Sequence, residues 1–331
     1  MRPDAALNTI LKLQSLRIPS NWDSIFGRHA PIHVEIGFGD GRFLFALAEQ
    51  RPELNFLGIE IAYEFVKKAA KKLKSKRLWN VRLLPLDAFI ALGCLFRRGE
   101  IDAVYSNFPD PWPRKRHARR RLFTSEFAHI LADRLSENGF VALATDNPEF
   151  RDFAIENMVS SGYFATEFPN GYRVGLPESY PRTKYAQKWL EAGRELYFIR
   201  FRLVKRPEGG FHCPIKRSVI MPHVILEPIE SLESAVKDFE RMEFREDEIF
   251  VRYANAYLSA DGRSALFEVF VGDWRLVQRI LIQVRARENE TIVKLDHINH
   301  PVVTEGVKLA VRRLARWLSE RFGLEVKSLK A

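Results

Sequence analysis

Cysteine is almost absent from this sequence, whose 331 residues include only Cys94 and Cys213. The two lie far apart and form no CxxC motif, so we expect no disulfide framework and a reducing cytoplasm as the simplest location. No apolar run approaches the roughly 18–20 residues that a membrane-spanning helix needs. The first ten residues, MRPDAALNTI, lack the apolar core of a signal peptide. These absences favour a cytoplasmic protein. The length of 331 residues, 46% of them hydrophobic, suits a globular protein of about two domains.

Acidic residues are fewer than basic ones, because 42 Asp and Glu stand against 52 Lys and Arg. The formal net charge is therefore +10. A balance this basic favours a polyanionic partner, either nucleic acid or an acidic membrane surface. Charge alone does not decide the question, because many hyperthermophile proteins carry abundant Lys, Arg and Glu for stability.

Short apolar runs alternate with longer periodic ones across residues 32–145. The runs typical of strands are IHVEIGFG, NFLGIEI, VRLLPLD, IDAVYSNF and GFVALATD, and helical segments such as YEFVKKAAKKLKSK lie between them. Strands that alternate with helices of this length form parallel sheets with helices on both faces. A helix that starts at Asn147 and Pro148, and a late strand, ELYFIRFRLV, continue the pattern. We therefore predict an α/β domain with a mostly parallel sheet.

The composition changes at KRPEGGFHCP, residues 205–214, where Pro and paired Gly predict a linker. We place the domains at 1–208 and 209–331. The second domain is predicted to be α+β, with a helix at SLESAVKDFERM and strands at EIFVRYANAYLS, SALFEVFVG, RLVQRILIQVRA and TIVKLDHI. A last helix, TEGVKLAVRRLARWLSERFG, has Thr304 as a predicted N-cap and Gly323 as a C-cap.

Glycines and acidic residues follow the first three predicted strands. The segment VEIGFGDG places Gly37 and Gly39 directly after the first strand, with Glu35 just before them. Glu60 ends the second strand and Asp87 follows the third. The carboxyl ends of parallel strands meet at one edge of a sheet, where open α/β sheets bind ligands. Taken singly, Glu60 could be a solvated strand end and Asp87 a helix cap.

Together these residues favour a cofactor with a ribose, an adenine and a cationic amino end. Glu60 can accept hydrogen bonds from both hydroxyl groups of a ribose, and Asp87 can accept one from the amino group of adenine. Glu35 lies where a dinucleotide site would hold a pyrophosphate, and a carboxylate there fits an ammonium group better. S-adenosylmethionine is such a ligand, and we prefer it to NAD.

The stretch SNFPDPWPRKRHARRRL follows the fourth strand and begins with a stiff turn. Three prolines surround Asp110 and restrict the backbone around it, so this carboxylate is held in place. Asp146 ends the next strand. Guanine offers two hydrogen-bond donors on one edge, which an aspartate can accept. The basic run after the turn is either a solvated surface or a binding site for nucleic-acid phosphates.

Seven motifs in order resemble the bacterial tRNA (guanine-N7)-methyltransferase family, over roughly residues 20–204. They are NWDSIFG, VEIGFGDG, GIEI, the pair Asp87–Ala88, NFPDPWPRKRHARRR, ATDN and PRTKYAQKW. The resemblance implies a Rossmann-like class I fold that binds S-adenosylmethionine, and methyl transfer to N7 of the variable-loop guanosine of tRNA. It implies neither a metal nor a membrane partner.

The resemblance also implies roles for individual residues. The cofactor residues are Glu35, Gly37, Gly39, Glu60, Asp87 and Asp110, and Asp110 is also the catalytic residue. The substrate-binding residues are Arg114, Asp146, Thr183 and Lys184. The RNA-contact residues are Arg116, His117, Arg119, Arg120 and Arg121.

The sequence departs from the family at two positions. Arg114 stands where the family usually has Lys, and Ala186 where it usually has Glu, for which Glu191 or another acid could substitute. Three alternatives stay open: a methyltransferase for another RNA, one for a protein, and a non-catalytic RNA-binding protein with a retained cofactor fold. The second domain is either a structural extension or a second tRNA-binding surface.

Overall fold

The computed structural model describes residues 9–112, 121–218, 220–298 and 300–330. The chain divides into two units, Met1–His212 and Cys213–Ala331, and the division falls inside the segment predicted as a linker. Both cysteines are disulfide-bonded, so the expectation that they form no disulfide is wrong. No helix within the described ranges is long and apolar enough to cross a membrane.

The first unit is built on one eight-stranded sheet, with the order β3-β2-β1-β4-β5-β8-β6 and with β7 paired to β8. Its strands are β1 (Ile32–Ile36), β2 (Asn55–Ile59), β3 (Val81–Leu84), β4 (Ile101–Asn107), β5 (Leu135–Thr145), β6 (Phe164–Thr166), β7 (Arg173–Val174) and β8 (Tyr197–Leu203). Strands β1 to β5 pair in parallel, whereas β6, β7 and β8 pair antiparallel. The predicted mostly parallel sheet is confirmed.

The described first unit contains seven α-helices and a short 3-10 helix, Leu13–Ser15. The α-helices are α1 (Trp22–Phe26), α2 (Arg42–Gln50), α3 (Tyr63–Lys76), α4 (Ala88–Leu95), α5 (Ser125–Arg134), α6 (Pro148–Ser160) and α7 (Lys184–Glu191). All five residues of β2 are buried, as expected for a strand covered on both faces. Helix α6 starts as predicted, because the side chain of Asn147 accepts a hydrogen bond from the N–H of Phe150 at 2.8 Å and Pro148 occupies the first turn.

The second unit is a seven-stranded antiparallel sheet with the order β10-β11-β12-β13-β14-β9-β15. Its strands are β9 (His223–Leu226), β10 (Met242–Glu246), β11 (Ile249–Leu258), β12 (Ser264–Asp273), β13 (Leu276–Ala286), β14 (Thr291–Leu295) and β15 (Val326–Lys330). The helices are α8 (Leu232–Lys237) and α9 (Glu305–Phe322). The caps predicted for α9 are confirmed: Thr304 accepts from the N–H of Val307, and Gly323 has a positive φ of 67°.

One predicted helix of the second unit is partly wrong. The segment SLESAVKDFERM was expected to be a single helix, but α8 ends at Lys237 and Met242 begins β10. Met242 pairs with Tyr253 of β11, and the ring of Phe239 packs 5.3 Å from that of Phe267. Pairing with a neighbouring strand therefore overrides the helical spacing of the apolar residues.

Candidate functional site

The five parallel strands of the first unit all end at one edge of the sheet. Their last residues are Ile36, Ile59, Leu84, Asn107 and Thr145. The acidic residues predicted for the site lie in these strands or shortly after them, so the topology gathers them at this edge. Hydrogen bonds directly join Glu60, after β2, to the glycine turn after β1, and Glu35 of β1 to Asn107 of β4.

The glycine turn after β1 leaves open space on its outer side. Gly37 and Gly39 have φ angles of 70° and 52°, which an L side chain rarely adopts. A methyl group placed on either glycine would have no neighbour within 4 Å, so the space beside this turn is free of protein atoms among the described residues. The turn is anchored to the next strand, because the N–H of Gly37 donates to the carbonyl of Ile59 at 2.8 Å.

The carboxylate of Glu60 faces this glycine turn. One oxygen accepts a hydrogen bond from the N–H of Gly39 at 3.2 Å, and the other accepts from the N–H of Ala62 at 3.0 Å. Two backbone donors thus hold the carboxylate at the end of β2. A carboxylate has about four acceptor positions, so it can take further hydrogen bonds from a ligand.

Glu35 is a buried acid inside β1, with only 2% of its surface exposed. Its Oε1 accepts a hydrogen bond from Nδ2 of Asn107 at 3.0 Å, while its Oε2 is buried and has no hydrogen-bond partner among the described residues. Burial raises the pKa of Glu35 to about 8, although the hydrogen bond from Asn107 and the weaker effect of the backbone N–H of Leu44 oppose that rise. The group is therefore mostly protonated at neutral pH, and a cation brought to Oε2 would favour its ionised form.

Asn107 and Tyr180 extend this buried contact, and the motif analysis assigned neither of them a role. The hydroxyl group of Tyr180 donates to Oδ1 of Asn107 at 2.8 Å. The ring of Tyr180 packs 4.7 Å from that of Phe43 and 5.0 Å from that of Phe198. Tyr180 directly precedes the motif PRTKYAQKW, and its position there is a signal that could have identified it. Glu35, Asn107 and Tyr180 form a hydrogen-bonded chain from β1 to the segment before α7.

Two predicted site residues are helix caps. Asp87 accepts hydrogen bonds at Oδ1 from the N–H groups of Phe89 and Ile90, at 2.9 and 3.3 Å, and so begins α4. Thr183 accepts from the N–H of Ala186 at 3.0 Å and begins α7. Each cap sets the direction in which its helix leaves the site edge.

Ala186, which stands where the resembled family usually has Glu, lies in helix α7. Ala186 is completely buried, so its side chain belongs to the core. Glu191, the suggested substitute, is exposed and accepts a hydrogen bond from Gln187 at 3.0 Å. Lys184 is also exposed.

Asp146, after β5, forms an ion pair with Arg194 at 2.8 Å. The guanidinium group of Arg194 lies 3.9 Å from the ring centre of Trp189. The structure therefore connects Asp146 to the end of α7. Asp146 lies at the same sheet edge as the hydrogen-bonded chain of Glu35, Asn107 and Tyr180.

Asp110 lies in a turn with strained backbone on both sides. Phe108 and Trp112 have φ angles of 53° and 41°, and bulky side chains rarely occupy this left-handed region. The N–H of Phe108 donates to the carbonyl of Ala144 at 2.7 Å, which fixes the start of the turn to β5. The Asp110 carboxylate is exposed and forms no hydrogen bond or ion pair within the described residues. Strain of this kind is commonly kept where a side chain must be presented to a ligand.

Arg121 holds the other end of the same turn. Its Nε donates to the carbonyls of Pro111 and Trp112 at 3.1 and 3.2 Å, and its Nη2 donates to Trp112 at 3.2 Å. The guanidinium group also lies 4.7 Å from the ring centre of Phe153. Arg121, which was predicted to contact RNA, thus has partners inside the protein. The RNA contact stays a prediction.

The other basic residues predicted after this turn, Arg114, Arg116, His117, Arg119 and Arg120, lie outside the described residues. Within the described part of the chain, no group of three or more His, Cys, Asp or Glu residues is arranged to hold a metal ion.

The chain is similar in sequence to known methyltransferases. A family model described as "Putative methyltransferase" matches residues 29–199. A tRNA (guanine-N(7)-)-methyltransferase from Thermus thermophilus is 35% identical over 94% of this chain and 96% of its own length. A protein of the same name from Thermotoga maritima is 33% identical, over 92% and 94%. A third, from Bacillus velezensis, is 35% identical over 53% of this chain and 81% of its own length.

The raised pKa of Glu35 predicts a pH dependence of stability. Between its ordinary pKa and a folded-state pKa of about 8, the folded chain binds one more proton than the unfolded chain. The contribution of Glu35 to the free energy of unfolding should therefore fall as pH rises from 6 to 8, by up to about 1.4 kcal/mol per pH unit. Denaturant unfolding of wild type and Glu35→Gln at pH 6, 7 and 8 measures the difference, because Gln cannot ionise.

A matched control is Glu64→Gln, which replaces an exposed carboxylate whose pKa is lowered by its hydrogen bond with Lys67. That carboxylate stays ionised from pH 6 to 8, so the control should keep the wild-type slope. Parallel pH profiles for wild type and Glu35→Gln would show that Glu35 is not a protonated acid in the folded protein.

Proposed function

The chain belongs to the tRNA (guanine-N7)-methyltransferase family and uses S-adenosylmethionine as its methyl donor, and we propose that its acceptor is the variable-loop guanosine of tRNA. The likeness to the Thermus thermophilus relative spans nearly the whole of both chains. That likeness carries the proposed acceptor, and the buried Oε2 of Glu35, without a partner among the described residues, supports a donor site at the ligand-binding edge of the sheet.

The residues present fit this donor. A buried carboxyl oxygen without a partner suits the ammonium group of an amino acid, and the open side of the turn at Gly37 and Gly39 leaves room for it. Glu60, held by the N–H of Gly39, suits the hydroxyl groups of a ribose. Asp87 lies after the third strand, where an acceptor for an adenine amino group is expected. When bound, S-adenosylmethionine supplies a methyl group activated by its positively charged sulfur.

We assign Asp110 to the guanine base. Its carboxylate is exposed and without a described partner, so it can accept hydrogen bonds from N1–H and the N2 amino group of guanine. N7 of guanine carries a free lone pair, and no general base is needed to expose it. Methylation leaves positive charge on the base, and a carboxylate held by a rigid turn stabilises that charge. Orientation of the base by the same turn lowers the barrier further.

We assign the segment from Tyr180 to the start of α7 to binding of the tRNA substrate. Tyr180 donates to Asn107, which in turn donates to Glu35, so the substrate segment is tied to the donor pocket by hydrogen bonds. Thr183 and the exposed Lys184, at the start of α7, are assigned to the tRNA substrate, as is Asp146. We propose a cytoplasmic location, where tRNA is processed.

Replacement of Asp110 tests the assignment of the base. Asp110→Asn keeps the size of the side chain but removes its charge and one acceptor, so kcat/KM for tRNA should fall at least about 100-fold. The measurement is transfer of labelled methyl to a tRNA transcript with a variable-loop guanosine, and to a transcript with adenosine there. Wild type should label the first transcript alone.

Calorimetry of cofactor binding separates binding of the methyl donor from orientation of the guanine base. Asp110→Asn should still bind S-adenosylmethionine through Glu35 and Glu60. The matched control Asp152→Asn removes an exposed carboxylate from α6 and should keep wild-type activity. Undiminished methyl transfer by Asp110→Asn would refute the assignment, and equal labelling of both transcripts would refute the proposed acceptor.

The turn-holding contacts of Arg121 give a second prediction. Arg121→Lys keeps the charge but cannot reproduce the planar fork that donates to Pro111 and Trp112. Single-turnover methyl transfer should therefore fall about tenfold in both Arg121→Lys and Arg121→Ala. The salt dependence of tRNA binding should stay unchanged in both. Rescue by Lys, together with a salt slope reduced by about 0.7–0.9 in Arg121→Ala alone, would instead show a phosphate contact.

A further inference from the structure

The sheet of the second unit packs one face against the helices of that unit. The residues that alternate along each strand with the packed ones lie on the other face. The buried residues of the packed face include Val251, Phe267 and Ile282, which pack in one core with Leu314 of α9. Because side chains alternate along a strand, their neighbours point away from this core. We call this surface the open face and define it by Arg252, Tyr257, Phe270, Arg279, Arg285 and Lys294.

Cations and aromatic rings alternate across the open face. Arg252, Phe270 and Arg279 are direct neighbours on β11, β12 and β13. The guanidinium group of Arg252 lies 4.9 Å from the ring centre of Phe270. Tyr257 is 51% exposed and Val277, on the same face, is 59% exposed. The face thus presents flat apolar surfaces between positive charges.

The acidic residues Glu243 and Glu268 on this face are already neutralised. Glu243, opposite Arg252 in the strand register, forms an ion pair with Arg245 at 2.9 Å. Glu268 forms an ion pair with Arg279 at 2.5 Å and accepts a hydrogen bond from Asn255 at 2.6 Å. Arg252, Arg285 and Lys294 form no ion pair within the described residues. The open face therefore carries positive charge that the protein itself does not balance.

Three of the four arginines of α9 are arranged differently, whereas Arg312 forms no ion pair within the described residues. Arg313 pairs with Glu246, Arg316 with Glu320 at 3.4 Å, and Arg321 with Asp238 at 2.9 Å. Their charges are balanced on the protein surface. Of the two basic surfaces in this unit, the open face is the better site for an anionic partner.

An exposed ring, a half-buried ring under Arg252 and unpaired cations on one face suit RNA. Arginine and lysine neutralise phosphates, and aromatic rings stack on bases that are not fully paired. We propose that the open face binds tRNA and so adds a contact outside the methyl-transfer site. This inference rests on the proposed function, because that function makes tRNA the partner of the chain.

Charge removal from the open face tests the inference on the full chain. The variant Arg252→Gln, Arg285→Gln, Lys294→Gln removes three positive charges. Its affinity for unmodified tRNA at 0.1 M salt should fall about tenfold or more, and the slope of log K against log salt should become shallower by about 2. Fluorescence anisotropy with labelled tRNA at several salt concentrations measures both quantities.

A matched control removes the same charge elsewhere in this unit. The variant Lys237→Gln, Arg287→Gln, Arg316→Gln replaces exposed cations that pair with Glu233, Glu290 and Glu320. Its tRNA affinity and salt slope should stay close to wild type. An equal loss in both triple variants would mean that only net charge matters, and it would overturn the proposal.

Tyr257 separates stacking from charge. Tyr257→Ser should weaken tRNA binding about tenfold, while Tyr257→Phe, which keeps the ring, should bind like wild type. Melting temperatures of both variants exclude unfolding as the cause. If Tyr257→Ser binds tRNA with wild-type affinity, the proposal that aromatic rings of the open face stack on bases is wrong.

The outcomes also separate this inference from the proposed function. If wild type methylates tRNA but the open-face triple variant binds it with an unchanged slope, the inference fails and the function stands. If the slope falls but wild type transfers no methyl to tRNA, the face binds RNA and the proposed function fails. A change of sedimentation coefficient with unchanged tRNA binding would make the face a contact between copies of the chain, which contradicts the proposal.

Discussion

The buried carboxyl group of Glu35 is the constraint on which the rest of the site depends. It lies inside the first strand, where burial keeps it protonated until a positive group arrives. One of its oxygens is held by Asn107 at the end of β4, and Asn107 is held by Tyr180 from the segment before α7. The other oxygen is left for a ligand. One hydrogen-bonded chain therefore connects the proposed donor pocket to the segment assigned to the acceptor.

The remaining parts of the site are held by backbone geometry. Parallel strands bring their carboxyl ends to a common edge, and two helix caps, Asp87 and Thr183, direct α4 and α7 away from it. The Asp110 turn is the exception, because its flanking residues have unfavourable backbone angles. Arg121 offsets part of that cost by donating to two carbonyls of the turn. A rigid turn with an exposed carboxylate suits a reaction that needs alignment and charge stabilisation rather than proton removal.

Much of the fold follows from local signals in the sequence. Apolar runs followed by glycine or acidic residues predicted β1, β2 and β4, and a cap predicted the start of α6 at Pro148. Contacts between distant segments carry no such signal. The bond of Tyr180 to Asn107 joins residues 73 positions apart, and Arg121 bonds to carbonyls that any residue would supply. The division of SLESAVKDFERM into a helix and a strand likewise depends on pairing with β11. Two isolated cysteines gave no sign of their disulfide bonding.

The most direct test of this account is the number of protons released when the cofactor binds. Calorimetric titration of the full chain with S-adenosylmethionine at pH 7, in buffers of different ionisation enthalpy, measures that number. A Glu35 with a pKa of about 8 before binding must lose its proton to face an ammonium group. The account predicts release of about one proton per cofactor bound. Binding with no proton release would contradict it, because Glu35 would then be ionised beforehand or remain neutral against the ligand.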